Sequence, residues 1–320
     1  MHIVLPLLFI LFPTIGWLIG WPWLTLVVSA LLLPLIEWVC RDVPAKRTLA
    51  WGETWPRLLM ALIVAQTLLM GALVQSMSWP MLLLMGLSVG YVSGGSGIVL
   101  AHELGHRKPL IDRGLSRLLL LTVAYGHYAI EHNRGHHRTA ATYPDPATAR
   151  FEESLWRFLP RYYSGVWQDA LKLSRQQPGR FNEALALMCT TLSMFIAIYL
   201  IADIKSLVFM LIQAMQAQLL VGAVDYMEHW GLQRADQNGK PERMGPQHTW
   251  DCANVVSDTL LFNLPRHSSH HLQPSLSADE LFHVPDSPQM PTGYAGMVVL
   301  TMVPPLYRRV MTSRLPQHPA

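Results

Sequence analysis

Cysteine is scarce in this sequence. Of 320 residues only three are cysteines, Cys40, Cys189 and Cys252, and they are scattered without a C-x-x-C pair. This excludes a disulfide framework, an iron–sulfur cluster and a rubredoxin-like site. A Gly-rich nucleotide-binding turn after a strand is also absent, because the glycines of residues 94–97 fall inside an apolar segment.

Charge is scarce as well. Charged residues make up 14% of the chain, whereas soluble domains carry about a quarter, and 51% of the residues are hydrophobic. The apolar residues fall in runs of about 20, the length that crosses a bilayer as a helix. We predict an all-α integral membrane protein with about six transmembrane helices. The predicted spans are residues 3–19, 21–40, 58–76, 79–101, 184–202 and 207–227.

A further apolar run, residues 292–306, is interrupted by Pro304 and Pro305, and we predict an interfacial or buried segment there. The first apolar run lacks a basic start and a small-residue cleavage site, so we predict a mature helix and not a signal peptide.

The basic residues predict the orientation. Of the 24 Lys and Arg residues, Lys205 alone lies in the three turns on one side of the predicted spans. By the positive-inside rule, both termini and the segments 102–183 and 228–320 are predicted to lie on the cytoplasmic side of a bacterial-type inner membrane. The chain is predicted to be one domain, residues 1–320. The net charge of +3 then reflects topology, and no nucleic-acid-binding motif accompanies it.

Nine of the fourteen histidines lie in four clusters on the predicted cytoplasmic side. Random placement would scatter them among spans and turns, so we predict a metal site. The candidate ligands are His102 and His106, then His132, His136 and His137, then His229, and finally His267, His270 and His271.

Helical spacing suggests how these imidazoles group. Residues four apart share a helix face, so His102 and His106 are predicted to hold one metal ion, and His132 and His136 likewise. His137, one residue further round, is predicted to reach a second ion. Neutral imidazole binds iron, zinc, copper or nickel, and ligand type alone does not separate these metals.

The first cluster also matches H-E-x-x-H, the zinc-protease motif, in which Glu103 would be the general base. A catalytic zinc uses three protein ligands, whereas two ions with four or five ligands each account for nine histidines. In that interpretation Glu103, Glu131 and Glu228 accept hydrogen bonds from ring N–H groups. The remaining histidines, His2, His127, His248, His283 and His318, are interpreted as ordinary polar side chains.

Two His-rich ions beside apolar helices favour redox chemistry on a lipid-soluble substrate over hydrolysis. Cleavage of an unactivated C–H bond requires an oxidant built from dioxygen, and two irons can share the electrons that this takes. A non-enzymatic metal carrier is a further alternative, but it should place ligands inside its spans.

Four motifs in this order resemble those of the alkane 1-monooxygenases, a branch of the membrane fatty-acid-desaturase-like proteins. They are H-E-L-G-H-R at residues 102–107, E-H-N-R-G-H-H at 131–137, D-Y-M-E-H-W-G at 225–231 and L-P-R-H-S-S-H-H at 264–271. Residues 247–250 and 290–297 extend the resemblance. The departures from the family pattern remove no ligand, and they are Arg107, Asp225, Trp230, Pro265 and Ser269.

The resemblance implies a di-iron centre held by the nine histidines, with O2 as co-substrate, that hydroxylates a terminal or methyl carbon of an apolar substrate such as an n-alkane. It implies electrons from a separate rubredoxin or ferredoxin-type donor and its NAD(P)H reductase. The alternatives are a fatty-acyl desaturase, an alkene-forming decarboxylase, an aryl-methyl hydroxylase and an intramembrane zinc hydrolase. Gly86, Gly90 and Gly94 form a stripe that predicts close helix packing, or room for an alkyl chain.

Overall fold

The computed structural model describes residues 3–40, 50–176 and 181–316, which are mostly helical. His2, His318 and part of the basic segment that follows the second predicted span lie outside these residues. In chain order the helices are α1 (Val4–Leu18), α2 (Leu24–Val39), α3 (Thr54–Ser76), α4 (Trp79–His106), α5 (Leu110–Thr122), α6 (residues 128–139), α7 (Leu155–Arg175), α8 (Glu183–Ile201), α9 (Ile204–His229), α10 (Val255–Leu260), α11 (His267–Leu272), α12 (Tyr294–Thr301) and α13 (Pro304–Thr312). A short antiparallel hairpin pairs β1 (Asp236–Gln237) with β2 (Lys240–Pro241).

Four helices are long and apolar enough to cross a membrane, namely α3, α4, α8 and α9. Helix α8 exposes Leu192, Ile196 and Leu200, an apolar surface suited to lipid. These features show a multi-pass membrane protein.

Helices α1 and α2 coincide with the first two predicted spans but are shorter. Helix α1 has 15 residues, roughly 22 Å at 1.5 Å per residue, against a hydrocarbon thickness of about 30 Å. The turn at Gly20, whose φ is 75°, separates it from α2. A total of six spans therefore remains a prediction. The run 292–306 forms no continuous helix, because α12 ends at Thr301 and Pro304 begins α13.

Helices α4 and α9 pack closely through the glycine stripe. A Cβ on Gly90 would lie 2.6 Å from the Gln213 carbonyl oxygen, and one on Gly94 would lie 2.8 Å from that of Ala217. These positions leave no room for a larger side chain, so the stripe serves helix packing. The close approach aligns the ends of α4 and α9, which carry His106 and His229.

Helix α5 runs back along α4 into the helical bundle. The Ser116 hydroxyl donates to the Ala101 carbonyl at 2.6 Å, and Gln218 of α9 donates to the Val123 carbonyl at 2.8 Å. Gln213 donates to the Thr122 carbonyl. Gln213 lies about 24 Å along α9 from His229 by helical rise. Amide side chains thus satisfy carbonyls that α5 leaves unpaired at membrane depth. Part of the segment 102–183, predicted to be cytoplasmic, lies beside the spans.

Glu37, at the end of α2, attaches the C-terminal segment to the bundle. Its carboxylate accepts hydrogen bonds from the Ser257 hydroxyl (2.7 Å) and from the backbone N–H groups of Gly296 (2.8 Å) and Ala295 (3.2 Å). A Cβ on Gly293 would lie 2.3 Å from the Glu37 carboxyl carbon, so only glycine permits this contact. Helices α10 and α12 are thereby held on the bundle, on either side of the histidines of α11.

Candidate metal centre

The first group of histidines forms where α4 ends. His102 and His106, one turn apart, approach each other with their Nε2 atoms 3.2 Å apart. His270 of α11 brings its Nε2 atom to 3.1 Å from that of His102. His132 and His137 of α6 complete the group, with their Nε2 atoms 3.1 Å apart. These five side chains could therefore hold one ion.

The α6 histidines do not group as α-helical spacing predicts. The turn His132–His136 is a π-helix, so residues five apart, and not four, lie one above the other. His132 therefore joins His137 in the first group, while His136 turns to a different group. The prediction that His132 and His136 share one metal ion is wrong for this reason, whereas His137 does lie in a different group from His136.

The second group consists of His136, His229, His267 and His271. The Nε2 atom of His267 lies 3.3 Å from that of His229 and 2.9 Å from that of His271. All four side chains are buried. Helix α11 serves both groups, because His267 and His271 share one face while His270 points to the first group.

The nitrogen geometry fits bound metal. Two imidazoles bound to one ion at about 2.0–2.1 Å, at angles near 90–110°, have their nitrogens roughly 2.9–3.4 Å apart. The observed Nε2 separations of 2.9–3.3 Å lie in this range. A single pair of imidazoles could share one hydrogen bond, but five converging rings could not all be satisfied that way. The Nε2 atom of His136 is also buried without a hydrogen-bond partner.

Burial determines the protonation of these rings. It lowers the pKa values of His132, His267, His270 and His271 well below the usual value, and the charges of neighbouring histidines lower them further. These four rings are therefore neutral, which is the form that binds a metal ion.

Asp145 is a site residue that sequence analysis missed. Its Oδ2 atom accepts a hydrogen bond from His136 Nδ1 at 3.0 Å and from the Thr148 hydroxyl at 2.6 Å. Burial alone would lower the pKa of His136, but the charge and hydrogen bond of Asp145 outweigh it and raise this pKa to about 9. The same negative charge favours a cation beside His136. No motif indicates Asp145, because it lies nine residues after His136 in a turn.

The three predicted glutamates occupy different environments. Glu103 accepts hydrogen bonds from Arg107 Nε (2.9 Å) and the Ala278 N–H (3.0 Å). Glu228 accepts one from the Tyr294 hydroxyl at 2.7 Å, and its other oxygen lies 3.4 Å from His267 Nε2. One Glu131 oxygen is buried without a partner. In the residues that the structure describes, none of these glutamates forms a hydrogen bond with the Nδ1 atom of one of the nine histidines. Asp145 does, at His136 Nδ1.

The remaining described histidines stay outside both groups. The His127 ring stacks on Trp167 with 4.7 Å between centroids. His248 Nδ1 accepts a hydrogen bond from the Gly245 N–H, and its Nε2 lies 2.9 Å from Glu242. His283 lies 3.4 Å from Asp258. These contacts agree with their interpretation as ordinary polar side chains.

An apolar cavity leads to the two groups from the interior of the bundle. Its walls are mainly aliphatic and aromatic and include Phe9, Gly95 and Leu220. His102, His132 and His267 contribute to its lining, together with Glu228. An apolar molecule in this cavity would contact both groups.

The chain matches the family model for fatty acid desaturase over residues 77–299. It is 37% identical to an alkane 1-monooxygenase of Pseudomonas putida over 250 residues, which cover 75% of this chain and 62% of the relative. It is 33% identical to alkane 1-monooxygenase 2 of Pseudomonas aeruginosa over 320 residues, 92% of this chain and 84% of the relative.

A more distant relative is the xylene/toluene monooxygenase hydroxylase component XylM of Pseudomonas putida. It is 24% identical over 237 residues, covering 69% of this chain and 61% of the relative. The chain spans about three fifths of the length of several of these relatives, including the P. putida alkane 1-monooxygenase.

The matched region contains both histidine groups and the helices α4 and α9 that carry them. The order of the histidine motifs and the sequence identity to the relatives point to the same family. The chain belongs to the fatty acid desaturase family, in the branch of the alkane 1-monooxygenases.

Proposed function

We propose that this chain is a di-iron, O2-dependent monooxygenase that hydroxylates a terminal or methyl carbon of an apolar substrate such as an n-alkane. One observation carries the proposal: two groups of converging imidazoles adjoin an apolar cavity. The relationship to alkane 1-monooxygenases supports the same activity.

Iron suits the first group better than zinc. The group of His102, His106, His132, His137 and His270 offers five nitrogens, more than a tetrahedral zinc accepts. Five ligands leave one position open on an octahedral ion, and the group of His136, His229, His267 and His271 leaves two. Two bound irons would supply the activation of dioxygen.

The zinc-hydrolase alternative assigns Glu103 as a general base. That carboxylate is engaged by Arg107 and by the Ala278 N–H, both at hydrogen-bond distance. A base held in this way serves the packing of the segment after α11 and cannot activate a water molecule between the histidines. The geometry thus argues against hydrolysis.

The residues of the chain orient the substrate and exclude water. The cavity wall is almost wholly apolar, so burial there favours an alkyl chain over a polar molecule. The Tyr294 hydroxyl holds the Glu228 carboxylate beside His267. Glu228 therefore lies where the cavity meets the second group. We propose that its carboxylate accepts a proton, or a hydrogen bond from a molecule bound there.

The electrons must come from outside the chain. No cofactor-binding motif is present in the sequence, so we propose a rubredoxin or ferredoxin-type donor with its NAD(P)H reductase. We also propose that the chain has six spans in a bacterial inner membrane, with both termini and the histidines on the cytoplasmic side. Lys108, Arg113 and Arg138 are exposed basic residues near the ligands in sequence, and we propose that they attract an acidic donor.

The function is tested in membranes that contain this chain, a rubredoxin and its reductase. The membranes are supplied with n-alkanes, alkyl-aromatics and fatty acids, and the products are identified by mass spectrometry. The proposal expects primary alcohols from alkanes. An alkene product would support a desaturase or decarboxylase, and benzylic alcohols alone would support an aryl-methyl hydroxylase.

We predict that His229→Ala abolishes alcohol formation and lowers the iron content, because the second group loses one of four ligands. His283→Ala is the matched control, since His283 lies outside both groups, and it should retain both properties. Product and iron are measured per amount of membrane protein. A His229→Ala variant with full iron and near-native turnover would remove His229 from the site.

We predict that Asp145→Asn weakens iron binding in the second group by about 10–100-fold, because it removes the charge that holds His136 in place. Chelator titration followed by metal analysis measures this change. The control is Asp286→Asn, at an exposed position. Equal iron retention in the two variants would show that Asp145 does not support the metal.

We predict that Gly95→Leu shortens the preferred alkane. A Cβ on Gly95 would have Leu220 at 3.4 Å and Phe9 at 3.9 Å, so the larger side chain fills the cavity without displacing backbone. Gly95 lies two turns before His102, roughly 10 Å by helical rise. Product profiles over a series of alkanes measure the shift. Gly114→Leu, where nothing lies within 4 Å of a Cβ, is the control. An unchanged profile in Gly95→Leu would exclude this wall from substrate selection.

A further inference from the structure

A buried tyrosine–aspartate pair lies behind the metal centre and has no part in the proposed hydroxylation. The Tyr162 hydroxyl of α7 donates a hydrogen bond to Asp225 Oδ2 of α9 at 2.5 Å. Tyr162 is fully buried, and Asp225 is 4% exposed. Asp225 precedes His229 by one helical turn and, with His132, lines the apolar cavity. A phenol thus has a proton acceptor in place, close to a site proposed to bind iron.

Aromatic rings connect this pair to the first histidine group. The Tyr128 ring stacks on His132 with centroids 5.1 Å apart and planes at 29°. The Tyr125 ring stacks on Tyr128 at 5.0 Å and 19°. Tyr125 and Tyr162 are both buried, and the Tyr162 side chain is near enough to Tyr125 to affect the pKa of its phenol. The stacked rings of Tyr128 and Tyr125 therefore lead from His132 toward Tyr162.

Further aromatic rings continue from Tyr162 toward the surface. Tyr162 stacks on Phe158 at 5.1 Å, and Phe158 lies edge-on to Tyr226 at 5.4 Å. Phenylalanine is hard to oxidise, so it bridges Tyr162 and Tyr226 without holding a charge itself.

The outer part of this series ends at solvent. Tyr226 lies 5.2 Å from Tyr307, which lies 5.4 Å from Trp230. Trp230 lies 5.4 Å from Phe151, which is 43% exposed and borders an open surface depression. The aromatic rings therefore lead from the metal centre to Trp230, which only Phe151 separates from a surface that a redox partner can approach.

We propose that Tyr162 is a one-electron relay of the metal centre, forming a neutral tyrosyl radical when the centre is oxidised with no C–H bond in reach. This inference rests on the proposed di-iron function. Tyrosine and tryptophan are the side chains that lose an electron most readily, and a hydrogen-bonded carboxylate makes the loss easier by taking the phenolic proton.

Tyr162 gives one electron to the oxidised metal centre by way of Tyr125 and Tyr128, and its O–H proton moves to Asp225. The radical is restored by one electron from the same external donor that supplies the hydroxylation, and the proton returns from Asp225. The relay thus removes oxidising equivalents that would otherwise attack His132 and the cavity wall.

A purely structural role for this pair is the alternative. A buried carboxylate needs a hydrogen-bond partner, and Tyr162 provides one. If the hydrogen bond is purely structural, Tyr162→Phe changes only the stability of the protein. It would leave no radical signal in the native protein and no difference in its oxidative damage.

The test uses the full chain loaded with iron, reduced with rubredoxin and its reductase, mixed with O2 without substrate and frozen rapidly. Electron paramagnetic resonance detects the radical, and ring-deuterated tyrosine identifies it by narrowing of the signal. The control is Tyr163→Phe, because Tyr163 lies beside Tyr162 at 5.2 Å but, in the described residues, donates no hydrogen bond to a carboxylate.

We expect a tyrosyl signal in the native protein and in Tyr163→Phe, and its loss in Tyr162→Phe. Mass spectrometry should then find several-fold more oxidation of residues around the site in Tyr162→Phe, at equal iron content. A native protein that binds iron and forms alcohols but gives no tyrosyl signal, or an unchanged signal in Tyr162→Phe, would overturn the relay alone. A protein that binds no iron would overturn the proposed function as well.

Discussion

Nine imidazoles point their inner nitrogens at two small buried volumes, and the rest of the structure depends on this convergence. Nitrogens 2.9–3.3 Å apart cannot all be satisfied by one another, and burial keeps eight of the nine rings from being protonated, His136 beside Asp145 being the exception. A metal ion in each group removes both difficulties. The ligands come from α4, α6, α9 and α11, so each ion would join segments that are distant in sequence. Metal binding and the folding of this side of the protein are therefore coupled.

The packing around the centre serves this convergence. Glycines let α4 and α9 approach until their ends lie side by side, and Glu37 holds α12 and the segment before α11 against the bundle. Arg266, directly before α11, is paired with the buried Asp258 at 3.1 Å. The apolar helices that position the ligands also enclose the cavity. One arrangement of helices thus supplies the ligand geometry and the binding site for an apolar substrate.

Much of this could be predicted from the sequence. Long apolar runs indicated the spans, and the clustering of His102 through His271 indicated the ligands, because these signals are local. The distribution of ligands between the ions was not predictable, since one inserted residue winds His132–His136 as a π-helix and exchanges the partners of His136 and His137. Asp145 and the return of α5 along α4 depend on contacts between distant segments, and neither has a local pattern. The motif around Glu103 suggested a base, but its role follows from Arg107 and Ala278.

The measurement that tests this account most directly is the number and position of metal ions in the purified chain. Metal analysis combined with anomalous scattering at the iron absorption edge gives both. The account predicts two irons per chain, one among His102, His106, His132, His137 and His270 and the other among His136, His229, His267 and His271. A single zinc ion, or iron in one group with the other group empty, would contradict it.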